Sequence, residues 1–131
     1  MIEVFYTHRI EGPELVEHRQ VVRGYSEARE IIEQYPWSSE VALTEELGEG
    51  GGLFFLRTGD NDARASLQLV PTEPGKGFLD LSIMANKGFL GIFGRRSASV
   101  TVDEVSIAEA KTYVKQLFDY SIDDLYQKHS S

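Results

Sequence analysis

The sequence lacks cysteine altogether, and it lacks any long run of apolar residues. Without cysteine, disulfides, thiolate nucleophiles and cysteine metal ligands are all excluded, and the composition fits a reducing compartment. No segment approaches the roughly 18 apolar residues of a membrane-spanning helix. The first residues alternate in polarity and show no basic stretch followed by an apolar one, so no signal peptide is expected. We therefore predict a cytoplasmic protein that has no membrane partner.

Basic residues are also scarce, with 13 Lys and Arg against 21 Asp and Glu and a formal net charge of -8. A nucleic-acid backbone repels such a chain unless a local basic patch overrides the field. The candidate patch consists of Lys87, Arg95 and Arg96, which carry too few charges to favour nucleic acid. The acidic balance favours cationic partners, including basic proteins, although it also serves solubility in proteins that have no partner.

The polar and apolar residues alternate along several short segments, which is typical of strands. Segments 2–9 and 15–22 flank a Gly-Pro turn and predict an opening β-hairpin. The later segments predict strands at Val41–Leu47, Leu53–Thr58, Arg64–Val70, Phe78–Ala85 and Ala98–Val102. Their short connections favour an antiparallel meander, in which the glycine-rich segment 48–52 is a flexible hairpin tip.

Two segments carry strong helix signals. Ser26 is a predicted N-cap for a helix over about residues 27–34, and Pro36 is expected to end it. Ser106 and Glu109 form a predicted capping box for a helix that reaches Asp119. A final helical turn is predicted at Ile122–Gln127, followed by a disordered tail from about residue 128 that includes His129.

The chain shows no internal repeat, low-complexity tract or linker, and its 131 residues are a common length for one domain. We predict a single α+β domain over residues 1–131. It would contain about five to seven mostly antiparallel strands, with two principal helices packed on one face of the sheet.

The sequence contains no recognisable catalytic motif. Segment 48–52 lacks the Lys and Ser/Thr of a phosphate-binding loop and leads into a predicted strand, so nucleotide binding is disfavoured. Glu45 and Glu46 are adjacent on a predicted strand and would point to opposite faces, which prevents them from acting as a dyad. No nucleophile elbow is present. We predict no catalytic residue and no cofactor.

His8 and His18 are candidates for a shared site, because the opening hairpin can place them near each other on adjacent strands. Imidazole is a common zinc ligand, but a catalytic zinc site normally has three protein ligands, so a metal at His8 and His18 is disfavoured.

The segment Gly88–Gly94 contains four bulky apolar residues within a glycine-rich connection. One interpretation is an exposed apolar surface that docks a partner or touches a membrane. The favoured interpretation is a bent strand or loop that folds back on the core, since exposed apolar patches are exceptional.

The order of segments carries a resemblance to a known family. An early helix is followed by strands that contain Gly50-Gly51-Gly52-Leu53-Phe54-Phe55-Leu56 and Ala65-Ser66-Leu67-Gln68-Leu69, and then by the capped helix at Ser106–Phe118. This layout resembles the small immunity proteins of bacterial polymorphic-toxin systems. The resemblance covers most of the chain and is one of pattern. It implies a non-enzymatic α+β protein that binds and blocks a cognate toxin domain, often a basic nuclease or deaminase.

Acidic and aromatic side chains are the candidates for contacting such a basic toxin domain. The acidic candidates are Glu45, Glu46, Glu49, Asp60 and Asp62, and the aromatic ones are Trp37, Phe89 and Phe93. An alternative function remains open: a small-ligand-binding protein or enzyme with a pocket between sheet and helices, to which His8 and His18 contribute.

Overall fold

The chain forms an α+β structure with six strands and four helices among its described residues. The computed structural model describes residues 2–9, 14–48, 51–59, 63–85 and 96–130. In chain order, the elements are β1 (Ile2–Arg9), β2 (Leu15–Val22), α1 (Tyr25–Gln34), α2 (Trp37–Leu47), β3 (Gly52–Thr58), β4 (Arg64–Glu73), β5 (Lys76–Ala85), β6 (Arg96–Ser106), α3 (Ile107–Asp119) and α4 (Ile122–His129).

The strands form one antiparallel sheet with the order β2-β1-β3-β4-β5-β6. The predicted opening hairpin is confirmed, and its register places Tyr6 opposite His18 and His8 opposite Val16. Strands β3 to β6 form the predicted meander, while β1 lies next to β3. The alternation seen in the sequence is the alternation of the two sheet faces, since successive side chains of a strand point in opposite directions.

One face of the sheet is buried beneath all four described helices. Burial of a large apolar side chain stabilises the fold by about 1.5–3 kcal/mol, so this layer is the main source of stability. Its strand residues include Val4, Phe55, Leu67, Leu69, Leu79 and Leu81, and its helix residues include Ile32, Val114, Leu117 and Leu125. None of the described helices has both the length and the apolar character needed to cross a membrane.

Helix α1 ends as predicted, but it begins differently. The N-cap is Gly24, which is extended and makes no side-chain capping hydrogen bond, while Ser26 lies in the first turn. The helix ends at Gln34, two residues before Pro36, because a residue that precedes proline is disfavoured in helical geometry.

The predicted strand at Val41–Leu47 is wrong, because this segment belongs to helix α2. Trp37 and Val41 lie one turn apart on the same helix face, and both are buried. The helix ends at Gly48, which adopts a left-handed φ of 79° and donates its N–H to Thr44 O at 2.8 Å. The glycine-rich segment therefore joins a helix to β3 and is not the predicted hairpin tip.

Strand β6 is longer than the predicted Ala98–Val102 at both ends, and it contains a β-bulge near its carboxyl end. Leu79 pairs with Val102, whereas Gly77 pairs with Val105, so β6 accommodates one extra residue in this stretch. Without the extra residue, Val105 would face away from the helices. With it, Val105 is buried in the core, and the strand continues to Ser106.

The helices that close the fold are held at their ends by polar contacts. Both hydrogen bonds of the predicted capping box between Ser106 and Glu109 are present. Helix α4 is capped by Ser121 and extends to His129, so the predicted start of a disordered tail falls within its last turn. The predicted α+β class, a mostly antiparallel sheet with its helices packed on one face, is confirmed, and four helices are present among the described residues.

Candidate functional site

Tyr6, His8, His18 and Tyr35 form a histidine–tyrosine cluster on the helix-facing side of β1 and β2. The His8 and His18 ring centroids lie 4.9 Å apart with an interplanar angle of 21°. Tyr6 stacks on His18 at 5.0 Å. The hairpin therefore brings the two histidines together, a placement that the sequence allowed and did not fix, and the same register aligns Tyr6 with His18.

Tyr35 attaches the cluster to the end of α1. Its hydroxyl donates a hydrogen bond to Thr7 O at 2.6 Å, and its ring meets His8 edge-on at 5.8 Å. Gly51 lies directly beneath this contact, where a Cβ atom would overlap both Thr7 O and the Tyr35 hydroxyl. The absence of a side chain at Gly51 is therefore what allows Tyr35 to reach β1.

A cavity of about 230 Å³ lies between this cluster and α1. Ligand pockets for drug-sized molecules usually measure about 300–1,000 Å³, so this cavity fits a smaller group. It is lined by the rings of Tyr6, His8 and Tyr35 and by polar side chains of α1, namely Glu27, Glu30 and Gln34.

The three carboxylates of α1 have different surroundings. Glu33 accepts a hydrogen bond from Lys111 Nζ of α3 at 2.7 Å, and this bond is the main reason that the pKa of Glu33 is lowered. Glu27 accepts a weak hydrogen bond from Arg23 N at 3.4 Å. Glu30 makes no ion pair within the described part of the chain. The two carboxylates that line the cavity, Glu27 and Glu30, therefore form no salt bridge with any residue that the structure describes.

His18 Nε2 is buried and has no hydrogen-bond partner among the described residues. Buried polar atoms in native proteins are almost always paired, so an unpaired ring nitrogen calls for an explanation. The histidine–tyrosine cluster therefore contains one ring nitrogen whose capacity for a hydrogen bond is not used by the described residues.

The arrangement of the two imidazoles does not suit a shared metal ion. A ring nitrogen binds zinc along a direction in its own ring plane, at about 2.0–2.1 Å. Because the His8 and His18 planes are nearly parallel, these directions run side by side and do not converge. Within residues 2–9, 14–48, 51–59, 63–85 and 96–130, no three His, Asp or Glu side chains are grouped so that they could hold a metal.

The second candidate surface is the open sheet face, which we define as the side of the strands turned away from the helices. No described element covers it. Its apolar centre includes Phe5 and Phe54, whose rings lie 6.2 Å apart, and Phe54 is 37% exposed. A concavity of about 610 Å³ lies beside them, lined by Phe54, Leu56, Arg64, Ser66, Met84 and Ser99.

Polar side chains surround this apolar centre and bond to one another. Arg19 Nε donates to Glu3 Oε2 at 2.8 Å, and its guanidinium lies over the Phe5 ring at 5.9 Å from the centroid. Thr101 Oγ1 lies 3.1 Å from Asp80 Oδ1. An apolar centre with a polar rim is the usual anatomy of a protein-binding surface.

The chain matches no family model, no curated protein and no solved structure. The geometry of the two surfaces is therefore the basis for the functional proposals.

The predicted partner-binding residues have separate outcomes. Glu45 and Glu46 are exposed on the last turn of α2, so they are consecutive helix residues and not strand neighbours. Trp37 is only 7% exposed, and its indole N–H donates to Ile32 O at 2.8 Å. Trp37 is therefore a core residue, and the prediction that it is a surface anchor is wrong.

The remaining candidates, and segment 88–94, lie outside the residues that the structure describes. These candidates are Glu49, Asp60, Asp62, Phe89 and Phe93.

Sequence reasoning missed Tyr35 and Glu30 as part of a site with the two histidines. The helix over Glu30 was predicted, but nothing in its local pattern says that it packs against β2 and α3. The open sheet face was also missed. Its signal is the alternation of Phe54 and Leu56 with buried Phe55, which places two large apolar residues on the solvent side of one strand.

Proposed function

We propose that this protein is a non-enzymatic, immunity-like inhibitor that binds and occludes a basic toxin domain. The observation that carries the proposal is the open sheet face, with its apolar centre, polar rim and concavity of about 610 Å³. Large apolar patches on soluble proteins commonly mark sites of association.

The dimensions and charge of the molecule support this choice. A stable protein–protein interface buries about 800 Å² on each partner, and a sheet of six strands offers a continuous surface for such a contact. The net charge of -8 speeds the encounter with a basic partner and selects against acidic ones. The exposed Glu45 and Glu46 contribute to this long-range attraction.

The first experiment is to co-express the chain with the product of the gene immediately upstream. We expect a protein with a compact basic domain that kills cells when expressed alone, is harmless with this chain, and co-purifies with it in a stoichiometric complex. An upstream product that is not toxic and forms no complex would contradict the proposal.

A matched pair of variants then tests the surface. Phe54→Ser removes an aromatic ring that is 37% exposed on the open sheet face, and Tyr120→Ser removes one that is 39% exposed on the helix side. If Phe54 is an interface anchor, its variant binds the toxin domain at least about tenfold more weakly, whereas the Tyr120 variant binds like the wild type. Equal affinities of the two variants would show that the partner binds elsewhere.

A second function is favoured by a separate observation, the cavity of about 230 Å³ beside the histidine–tyrosine cluster. We propose as the alternative that the protein binds a small ligand between sheet and helices, with or without catalysis. A ligand that binds the native state raises the melting temperature. A thermal-shift screen with His8→Ala and His18→Ala as comparison variants separates this alternative from the inhibitor, which responds to a protein and not to a metabolite.

A further inference from the structure

We infer that the cavity beside the histidine–tyrosine cluster binds an organic cation of the alkylguanidinium class. This inference rests on the proposed small-ligand function and deepens it by naming the class of ligand. It is independent of the open sheet face, which lies on the other side of the sheet.

The charges around the cavity favour a cation. Glu27 and Glu30 line it from α1, and its described lining contains no Lys or Arg side chain. Gln20 and Gln34 add carboxamide oxygens, which accept hydrogen bonds. The lining is therefore rich in acceptors and negative charge, and it would repel a phosphate or a carboxylate ligand.

The aromatic rings favour a flat and delocalised cation. Tyr6, His8 and Tyr35 line the cavity, and aromatic faces attract cations that lie within about 6 Å of the ring centroid. A guanidinium is planar and more weakly hydrated than an ammonium, so it leaves water and stacks on rings more readily.

The size of the cavity agrees with this class. A volume of about 230 Å³ admits a guanidinium with a short alkyl chain, while a nucleotide is too large for it. His18 stacks on Tyr6 and His8 but does not line the cavity itself, so it supports the two lining rings and does not contact the ligand.

The test compares two ligands that have the same shape and different charge. N-acetyl-arginine amide and N-acetyl-citrulline amide are titrated at millimolar concentration into the full chain labelled with ¹⁵N, and ethylguanidinium serves as a minimal probe. We expect the arginine amide and ethylguanidinium to shift the amide signals of β1, β2 and α1. The citrulline amide, which is neutral, should bind at least about tenfold more weakly because it lacks the cation–π and charge terms.

Two variants locate the binding site. Glu30→Gln removes one charge from the cavity lining without changing the shape of the side chain. The control is Glu33→Gln, which removes a charge from the same helix at a carboxylate that does not line the cavity and accepts a hydrogen bond from Lys111. We expect weaker arginine-amide binding by about fivefold or more in the Glu30 variant, consistent with loss of a charge-assisted contact, and a smaller change in the Glu33 variant.

The outcomes separate the inference from the function on which it rests. Equal binding of the arginine and citrulline amides, or equal effects of the two variants, would overturn the cation inference. If only another class of metabolite shifts these amides, the ligand class is wrong and the small-ligand function stands. If neither the cations nor a metabolite panel shifts them, both are wrong.

Discussion

At the scale of single residues, Gly51 is the described glycine with the least space for a side chain. A Cβ atom there would overlap Thr7 O and the Tyr35 hydroxyl, which are joined by a hydrogen bond of 2.6 Å. We expect Gly51→Ala to lower the free energy of unfolding by about 1–3 kcal/mol, as overpacking does elsewhere. Urea denaturation measures the change.

Gly24 provides the control for Gly51. Nothing lies within 4 Å of a Cβ atom at Gly24, and its backbone is extended, with a φ of -160° that any residue adopts. Because Gly24 is the N-cap of α1, Gly24→Ser is expected to stabilise the protein by a few tenths of a kcal/mol, about the difference between these residues as caps. A similar loss of stability in both variants would show that Gly51 is not special.

His129 gives the molecule a predictable sensitivity to acid. Burial, and then the charge of Lys128, lower the pKa of His129 below its ordinary value of 6.5. The unfolded chain then binds a proton more tightly than the folded chain does, so stability is lost as the pH falls below about 6.5 and is unaffected well above it.

The variant His129→Gln isolates this effect. Glutamine does not titrate and can still donate to Gln116 Oε1, which lies 2.9 Å from His129 Nε2. We expect the wild type to lose stability relative to the variant between pH 7.5 and pH 5.5, as measured by urea denaturation at each pH. A difference between the two proteins that does not change with pH would contradict the assignment.

At the scale of elements, the end of α3 depends on a residue of the sheet. Arg57 of β3 donates from Nη1 to Leu117 O at 2.7 Å and also to Tyr120 O. The last carbonyls of a helix have no partner within the helix, so this guanidinium provides the cap. We expect Arg57→Ala to lower the free energy of unfolding by about 1.5–3 kcal/mol, the range for hydrogen bonds to charged groups.

Arg64 is the matched control for Arg57. It lies on β4, its side chain is exposed, and it belongs to the open sheet face. Chemical denaturation of Arg64→Ala should show a change within about 0.5 kcal/mol, as surface substitutions usually do. A cost for Arg57→Ala no greater than this would mean that the carbonyls of α3 are satisfied equally well by water.

Helices and strands that are specified by residues within their own segment could be predicted from the sequence. Those that depend on contacts with distant segments could not. The capping box at Ser106 and the strict alternation in Arg64–Val70 each contain the information for their element. Helix α2 has no side-chain cap, and burial of its first turn depends on strands that lie elsewhere in the chain. Gly48 could have indicated the end of this helix, because a glycine in the left-handed conformation commonly follows the last helical residue.

The part of the candidate site that lies on the hairpin could be inferred from the sequence, and the part contributed by α1 and its end could not. The pairing of β1 with β2 places His8 and His18 on the same face of adjacent strands, because strand register fixes which residues are neighbours across a hairpin. The packing of α1 against β2 and α3 depends on contacts between segments distant in the sequence, so the contribution of Tyr35 and Glu30 could not be inferred from spacing.

At the scale of the whole molecule, placing all described helices on one side divides the sheet into a structural face and a free face. Phe54 and Phe55 are consecutive in β3 and differ in this respect, with exposures of 37% and 0%. We expect Phe55→Ala to cost about 3–5 kcal/mol, the range for a buried aromatic. Phe54→Ala should cost less than about 1 kcal/mol, since much of its ring remains in water in the folded state.

The melting temperatures of the two variants check this expectation, with circular dichroism as a test of retained structure. Similar losses in both would show that the open sheet face is covered in solution, and the proposed docking surface would then be unavailable. A large difference would support its use as a recognition surface.

The burial of Trp37 has a practical consequence for spectroscopy. It is the one tryptophan of the chain, and its indole lies against Gly77 of β5, with the Tyr35 ring at 5.7 Å. Its native fluorescence should therefore be blue-shifted and should receive excitation energy from Tyr35. The blue shift is lost when α2 separates from the sheet, whereas transfer from Tyr35, two residues away in the sequence, persists, so the emission wavelength of Trp37 is an internal optical reporter of the contact between the helical layer and the strands.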